Sequence, residues 1–239
     1  MRSTTKLTLA LLPAFAALIA LGVWQIQRLH WKEALIAQVN ANIAASPLTL
    51  DEILALPPRE AQYHRVTLHG TFDHALENYV FTADASGAPI YHVLTPLFAE
   101  GGPKGVTPWI MVDRGAVPKE KLDPGTRQTG NVGGTATVTG VWRTPDAPNA
   151  FTPAPDRAHR IWYARDLADM ARADGIKLLA PVLVEADATL NPGGLPKGGQ
   201  TVVNFPNNHL QYAITWFGLA AALAGVFVAY QIQQVRRNP

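Results

Sequence analysis

The chain has 239 residues and carries 20 Lys and Arg against 18 Asp and Glu. Four of the cations (Arg2, Lys6, Arg236 and Arg237) lie in the tails, which leaves a near-neutral, slightly acidic middle and argues against nucleic acid as a partner. There is no cysteine, which excludes disulfides, thiolate chemistry and Cys-based metal sites.

Residues 7–27 carry no formal charge and are almost wholly apolar. As a helix they reach across roughly 30 Å of hydrocarbon, and Pro13 is tolerable within such a span. The run ends in Gly22-Val23-Trp24-Gln25 rather than a small-x-small cleavage site, and Trp24 and Trp31 read as interfacial anchors, so a retained transmembrane helix is expected. Leu29, Leu35, Ile36, Val39 and Ile43 continue a helical spacing until Ser46-Pro47, and residues 51–56 read as a short helix stopped by Pro57-Pro58. Residues 63–72, 78–83, 90–98, 108–112, 135–141 and 181–186 read as strands, separated by Gly- and Pro-rich stretches at 100–105, 123–134 and 191–199. A helix is expected over about 164–173, ending before Gly175. A second apolar run covers residues 210–230.

These elements predict an α+β chain: two transmembrane helices flanking a β-rich extramembrane domain, built as a small antiparallel sheet or barrel with accessory helices. The expected division is a tail at 1–6, a first span at 7–27, the β-rich domain at 28–206, a second span at 207–230 and a tail at 231–239. Cations in both tails place both termini in the cytoplasm by the positive-inside tendency. The domain then faces the periplasm of a bacterial inner membrane, or the equivalent compartment of a mitochondrion.

Most candidate chemistry in the middle is unspecific. His64, His69 and His74 recur every five residues, which puts successive members on opposite faces of an extended strand, so they read as surface or locally bonded side chains rather than metal ligands. His92 and His159 read the same way. Residues 130–134 lack the lysine of a phosphate loop. Asp113-Arg114-Gly115 reads as a pair that fixes a turn, and no nucleophile motif occurs, so the chain is not expected to be an enzyme.

His209 differs because it opens the second apolar run, within Asn207-Asn208-His209-Leu210-Gln211-Tyr212. Ionisable residues at membrane helices mark functional sites. With Asn207 or Asn208 as helix cap, His209 shares a face with Tyr212, Ala213 and Trp216. A neutral imidazole there can coordinate haem iron with Tyr212 and Trp216 packed beside the porphyrin; the alternative is an interfacial aromatic belt. Trp24, Gln25 and Arg28 emerge on the same membrane side, where Arg28 either pairs with a haem propionate or snorkels to lipid phosphate.

Two segments carry a resemblance. Gly22-Val23-Trp24-Gln25-Ile26-Gln27-Arg28 with Trp31-Lys32, and Asn207-Asn208-His209-Leu210-Gln211-Tyr212-Ala213-Ile214-Thr215-Trp216-Phe217, resemble the two signatures of the Surfeit locus 1 family of cytochrome c oxidase assembly proteins. Residues 110–118 resemble its strand motif, with Asp113 in place of the usual Asn and Ala116 in place of the usual Trp. The resemblance implies a bacterial-type member that binds haem a and assists its insertion into subunit I of cytochrome c oxidase, without catalysis. His209 is then the axial iron ligand, and Tyr212, Trp216, Trp24 and Arg28 are further cofactor-binding positions. Implied partners are subunit I, haem A synthase, other oxidase assembly factors and membrane lipid. The alternative is a haem-free membrane scaffold that stabilises subunit I or an assembly intermediate.

Overall fold

The computed structural model describes residues 3–84, 86–106, 108–145, 147–201 and 205–237. Arg2, one of the cations behind the topology reading, lies outside them. In chain order the elements are α1 (Ser3–Ala44), α2 (Leu50–Ala55), β1 (Arg65–Phe72), β2 (Asn78–Ala83), β3 (Pro89–Ala99), β4 (Trp109–Pro118), β5 (Thr135–Arg143), β6 (Ile161–Trp162), α3 (Leu167–Asp174), β7 (Leu178–Ala186) and α4 (His209–Arg237). They form two units, one of Met1–Gln38 with Asn204–Pro239 and one of Val39–Val203.

In the first unit, α1 and α4 are both long and apolar enough to cross a membrane. Exposed Leu9, Leu12, Leu219, Val226 and Val228 leave the pair apolar on its outside, as lipid-facing helices are. The 42 residues of α1 extend about 63 Å at 1.5 Å per residue, roughly twice the hydrocarbon thickness. The charges at Arg28, Lys32 and Glu33 mark where it leaves the apolar layer. The helices run antiparallel. Leu11, Leu12 and Phe15 share a cleft of about 200 Å³ with Leu223, Ala224 and Phe227. Further along, Gly22 abuts Phe217, Gln25 meets His209 and Lys32 lies over Phe205.

The second unit is a barrel with an extension. Strand order β1-β5-β7-β4-β3 closes on itself through a β1–β3 pairing, and β2 and β6 extend the sheet beyond β3. Closure depends on β3 dividing one of its edges. Residues 89–94 take β2, and Leu97, Phe98 and Ala99 take the end of β1. Gly70 stands at that junction: a Cβ there would lie 2.3 Å from the Phe98 carbonyl oxygen, so only glycine lets the strands meet. Most pairings are antiparallel, but β4–β7 and β2–β6 are parallel.

Leu68, Leu97, Ile110, Val112 and Val184 fill the barrel. One end is covered by Leu50 and Ile53 of α2, whose start is fixed by reciprocal Thr49–Glu52 capping bonds. Alternate residues point outward, so Met111, Leu94 and Leu183 pack with Leu167 and Met170 of α3. Strand β4 is therefore buried on both faces along nearly its whole length. Asp113-Arg114-Gly115, expected to fix a turn, instead lies inside this strand.

Candidate functional site

Helix α4 begins at His209, and the Asn208 carbonyl accepts the Tyr212 N–H, so Asn208 occupies the cap position. That start places His209, Tyr212 and Trp216 at spacings of three and four, along one stripe of the helix. His209 is half-buried; Tyr212 is exposed and Trp216 partly so.

The partner of His209 is Gln25, an uncharged polar residue within the apolar run of α1. Its Oε1 lies 2.7 Å from His209 Nδ1, and its side chain is buried. An amide oxygen only accepts, so with the amide in this orientation Nδ1 would be the donor. A neutral imidazole protonated on Nδ1 keeps its lone pair on Nε2, the atom then available to a metal. Gly22, one turn earlier on the same stripe, makes the approach possible: a Cβ there would lie 2.6 Å from the Phe217 ring. Ala213 and Ala220, almost fully buried, keep the α4 side of the seam small.

Trp24 and Arg28 lie beside this contact rather than in it. At about 100° per residue they sit, with Trp31, on a stripe roughly 60–120° round the helix from Gln25. Trp24 and Trp31 are exposed, and the Arg28 guanidinium lies 4.1 Å from the centre of the Trp31 ring. The structure thus joins His209, Tyr212 and Trp216 in one stripe and Trp24 and Arg28 in an adjoining one. Sequence reading put Gln25 on the same membrane side as His209 but gave it no role in the site. The signal was there: of the two amides in the run, Gln25 and Gln27, the first stands three residues after Gly22, on the face that a small residue opens. The apolar cleft lined by Leu223 is 14 residues along α4 from His209, about 21 Å away, and is a separate feature.

Two of the buried polar clusters among the described residues of the second unit centre on Glu77 and Asp113. Glu77 accepts from Arg127 at 2.5 Å and from Arg114 at 3.2 Å, and Tyr79 donates to it. Burial alone would raise the Glu77 carboxyl, but bonds from His74 and Arg127 and the charges of Arg127 and Arg114 prevail and hold it at about 2. Burial lowers Arg114 to about 10 despite the charge of Glu77. The second cluster joins Asp113 to His92 at 2.8 Å and to Arg165 at 3.0 Å. There too burial pushes the carboxyl up and the hydrogen bond and charge of His92, with Arg165, prevail, leaving Asp113 below its ordinary value. His69 bonds Thr137, and His159 bonds Asp156. Among the described residues no group of three or more His, Asp or Glu is placed to hold a metal ion.

Comparison with known proteins agrees in extent with these two helices and the barrel between them. The family model described as SURF1 family matches residues 12–221. Surfeit locus protein 1 of Mus musculus is 36% identical over 97% of this chain and 76% of its own length. That of Takifugu rubripes is 34% identical over 98% and 100%, and that of Homo sapiens 36% identical over 90% and 73%. These relatives and the others compared are all eukaryotic. That corrects the expectation of a bacterial-type member in a bacterial inner membrane, with cytoplasmic termini and a periplasmic domain; a mitochondrial location is favoured. Hydropathy and flanking charge report span length and sidedness, and neither distinguishes one energy-conserving membrane from another.

Proposed function

The chain belongs to the SURF1 family of cytochrome c oxidase assembly proteins, and from that premise we propose that it binds haem a at His209 and assists its insertion into subunit I. Family members are assembly factors rather than enzymes, so the residues need only hold, shield and release. The observation that carries this reading is the 2.7 Å His209–Gln25 contact, which engages Nδ1 and so makes Nε2 the ring nitrogen to present to a metal at the head of a membrane-length helix.

The residues present fit such a group. His209 supplies one nitrogen donor. Tyr212 and Trp216 supply aromatic surface on the same stripe, and Trp24 supplies more on the adjoining one. Arg28 is the cation suited to a propionate carboxylate, a pairing that requires it to leave or share its stacking on Trp31. When bound, haem a supplies an iron that accepts the imidazole nitrogen. A single neutral nitrogen donor in an open site suits a carrier that must give its cargo up. Subunit I is the proposed recipient, and haem A synthase and companion assembly factors are proposed partners.

The test is an absorption spectrum of full-length protein purified in mild detergent from cells that make haem A, compared with His209→Ala. Wild type is expected to show a bound haem spectrum that is lost or strongly altered in the variant. A haem-free wild type that still co-purifies subunit I would overturn this reading in favour of a scaffold.

A further inference from the structure

We propose that Gln25 is a positioning residue for His209: it fixes the imidazole in the Nδ1–H tautomer, sets the ring's orientation and thereby presents Nε2 as the ligand atom. The role as ligand rests on the haem reading above; the tautomer does not. The geometry is specific. The Oε1–Nδ1 distance is 2.7 Å between residues 184 apart in sequence. Gln25 is 9% exposed, so water competes poorly for the bond and a buried donor without an acceptor would be costly. Close packing of Gly22, about one turn from Gln25, against the ring of Phe217, about two turns from His209, holds the two helices at the spacing the bond needs.

The choice of an amide matters. Metal-ligating histidines commonly donate their second N–H to a carbonyl or a carboxylate, and a carboxylate makes the ligand more basic. Gln25 gives the orientation without a negative charge. His209 is then aimed as firmly as a resident ligand yet remains the weaker donor that transfer requires. The opposite amide orientation, with the Gln25 NH₂ donating to Nδ1, would put the histidine proton on Nε2 and block ligation there.

Two variants separate these arrangements. Gln25→Leu removes the acceptor at similar volume, and Gln25→Glu keeps it and adds charge. The haem-free full chain, labelled with ¹⁵N-histidine in detergent, gives ring-nitrogen signals for seven histidines, and the His209 pair is identified by its disappearance in His209→Ala. Wild type and Gln25→Glu are expected to show His209 protonated on Nδ1, and Gln25→Leu a mixture of tautomers. Haem loading should then weaken about 10–100-fold in Gln25→Leu, while Gln25→Glu should release haem to an excess of apomyoglobin more slowly than wild type. A wild-type proton on Nε2, or a Gln25→Leu spectrum identical to wild type, overturns the proposal. Failure of wild type to bind haem would overturn the haem reading alone, because the nitrogen signals are read without haem.

Discussion

Glu77 shows how single residues hold the barrel together. Two guanidinium groups converge on its one carboxylate inside the protein, and Arg114 also lies 4.9 Å from the centre of the Phe72 ring. Removing one partner of a buried ion pair leaves the others uncompensated, so Glu77→Ala is expected to cost about 3–5 kcal/mol in denaturant unfolding of the detergent-solubilised chain. The pH dependence has a defined sign. Folding lowers the Glu77 pKa from 4.5 to about 2, so the stabilisation is complete above about pH 4.5 and is lost as pH falls toward 2. Asp113 shifts in the same direction. Thermal melts of wild type should therefore fall over that window, and those of Glu77→Gln should start lower at neutral pH and fall less steeply.

At the level of elements, legibility in the sequence followed solvent contact. Strand β2 was readable to the residue because Tyr79, Val80, Phe81 and Thr82 all favour strands and turn residues follow them. Strand β4 was read only as far as Val112 because Asp113, Arg114 and Gly115 resemble a turn. They belong to the strand because opposite faces of the sheet supply their partners, Glu77 for Arg114 and His92 with Arg165 for Asp113. No local pattern announces those partners, which lie 21 to 52 residues away. The two-residue β6, paired in parallel to β2, is too short for any periodicity. The start of α4 at His209 was readable because helix caps are local, whereas the contact with Gln25 required knowing which helix lies beside it. Gly70 belongs to this scale too. Gly70→Val forces a side chain into the Phe98 carbonyl, and the expected cost is about 3 kcal/mol. Hydrogen exchange should rise first at Phe98 and Ala99, where β1 closes the barrel; unchanged protection there would show that closure does not depend on the glycine.

For the whole molecule, we propose that two crossings put the tails on one side of a membrane and the domain on the other. The cysteine-free sequence makes it simple to test, because an introduced thiol is the only one present. In sealed vesicles, an impermeant maleimide is expected to label Lys104→Cys and Gln233→Cys, both exposed positions, from opposite faces. Labelling of both from one face would refute two crossings.

The contact between Gln25 and His209 also has a consequence in time. The two residues are separated by 184 positions, and at roughly 5–20 residues per second a ribosome needs about 10–40 s to pass from one to the other. Until then α1 exists with a buried-type amide and no partner. A chain interrupted anywhere in the barrel never acquires a histidine aimed by that amide. On the haem reading proposed above, a fragment that stops before α4 lacks the aimed histidine and cannot compete for haem with a chain that has it.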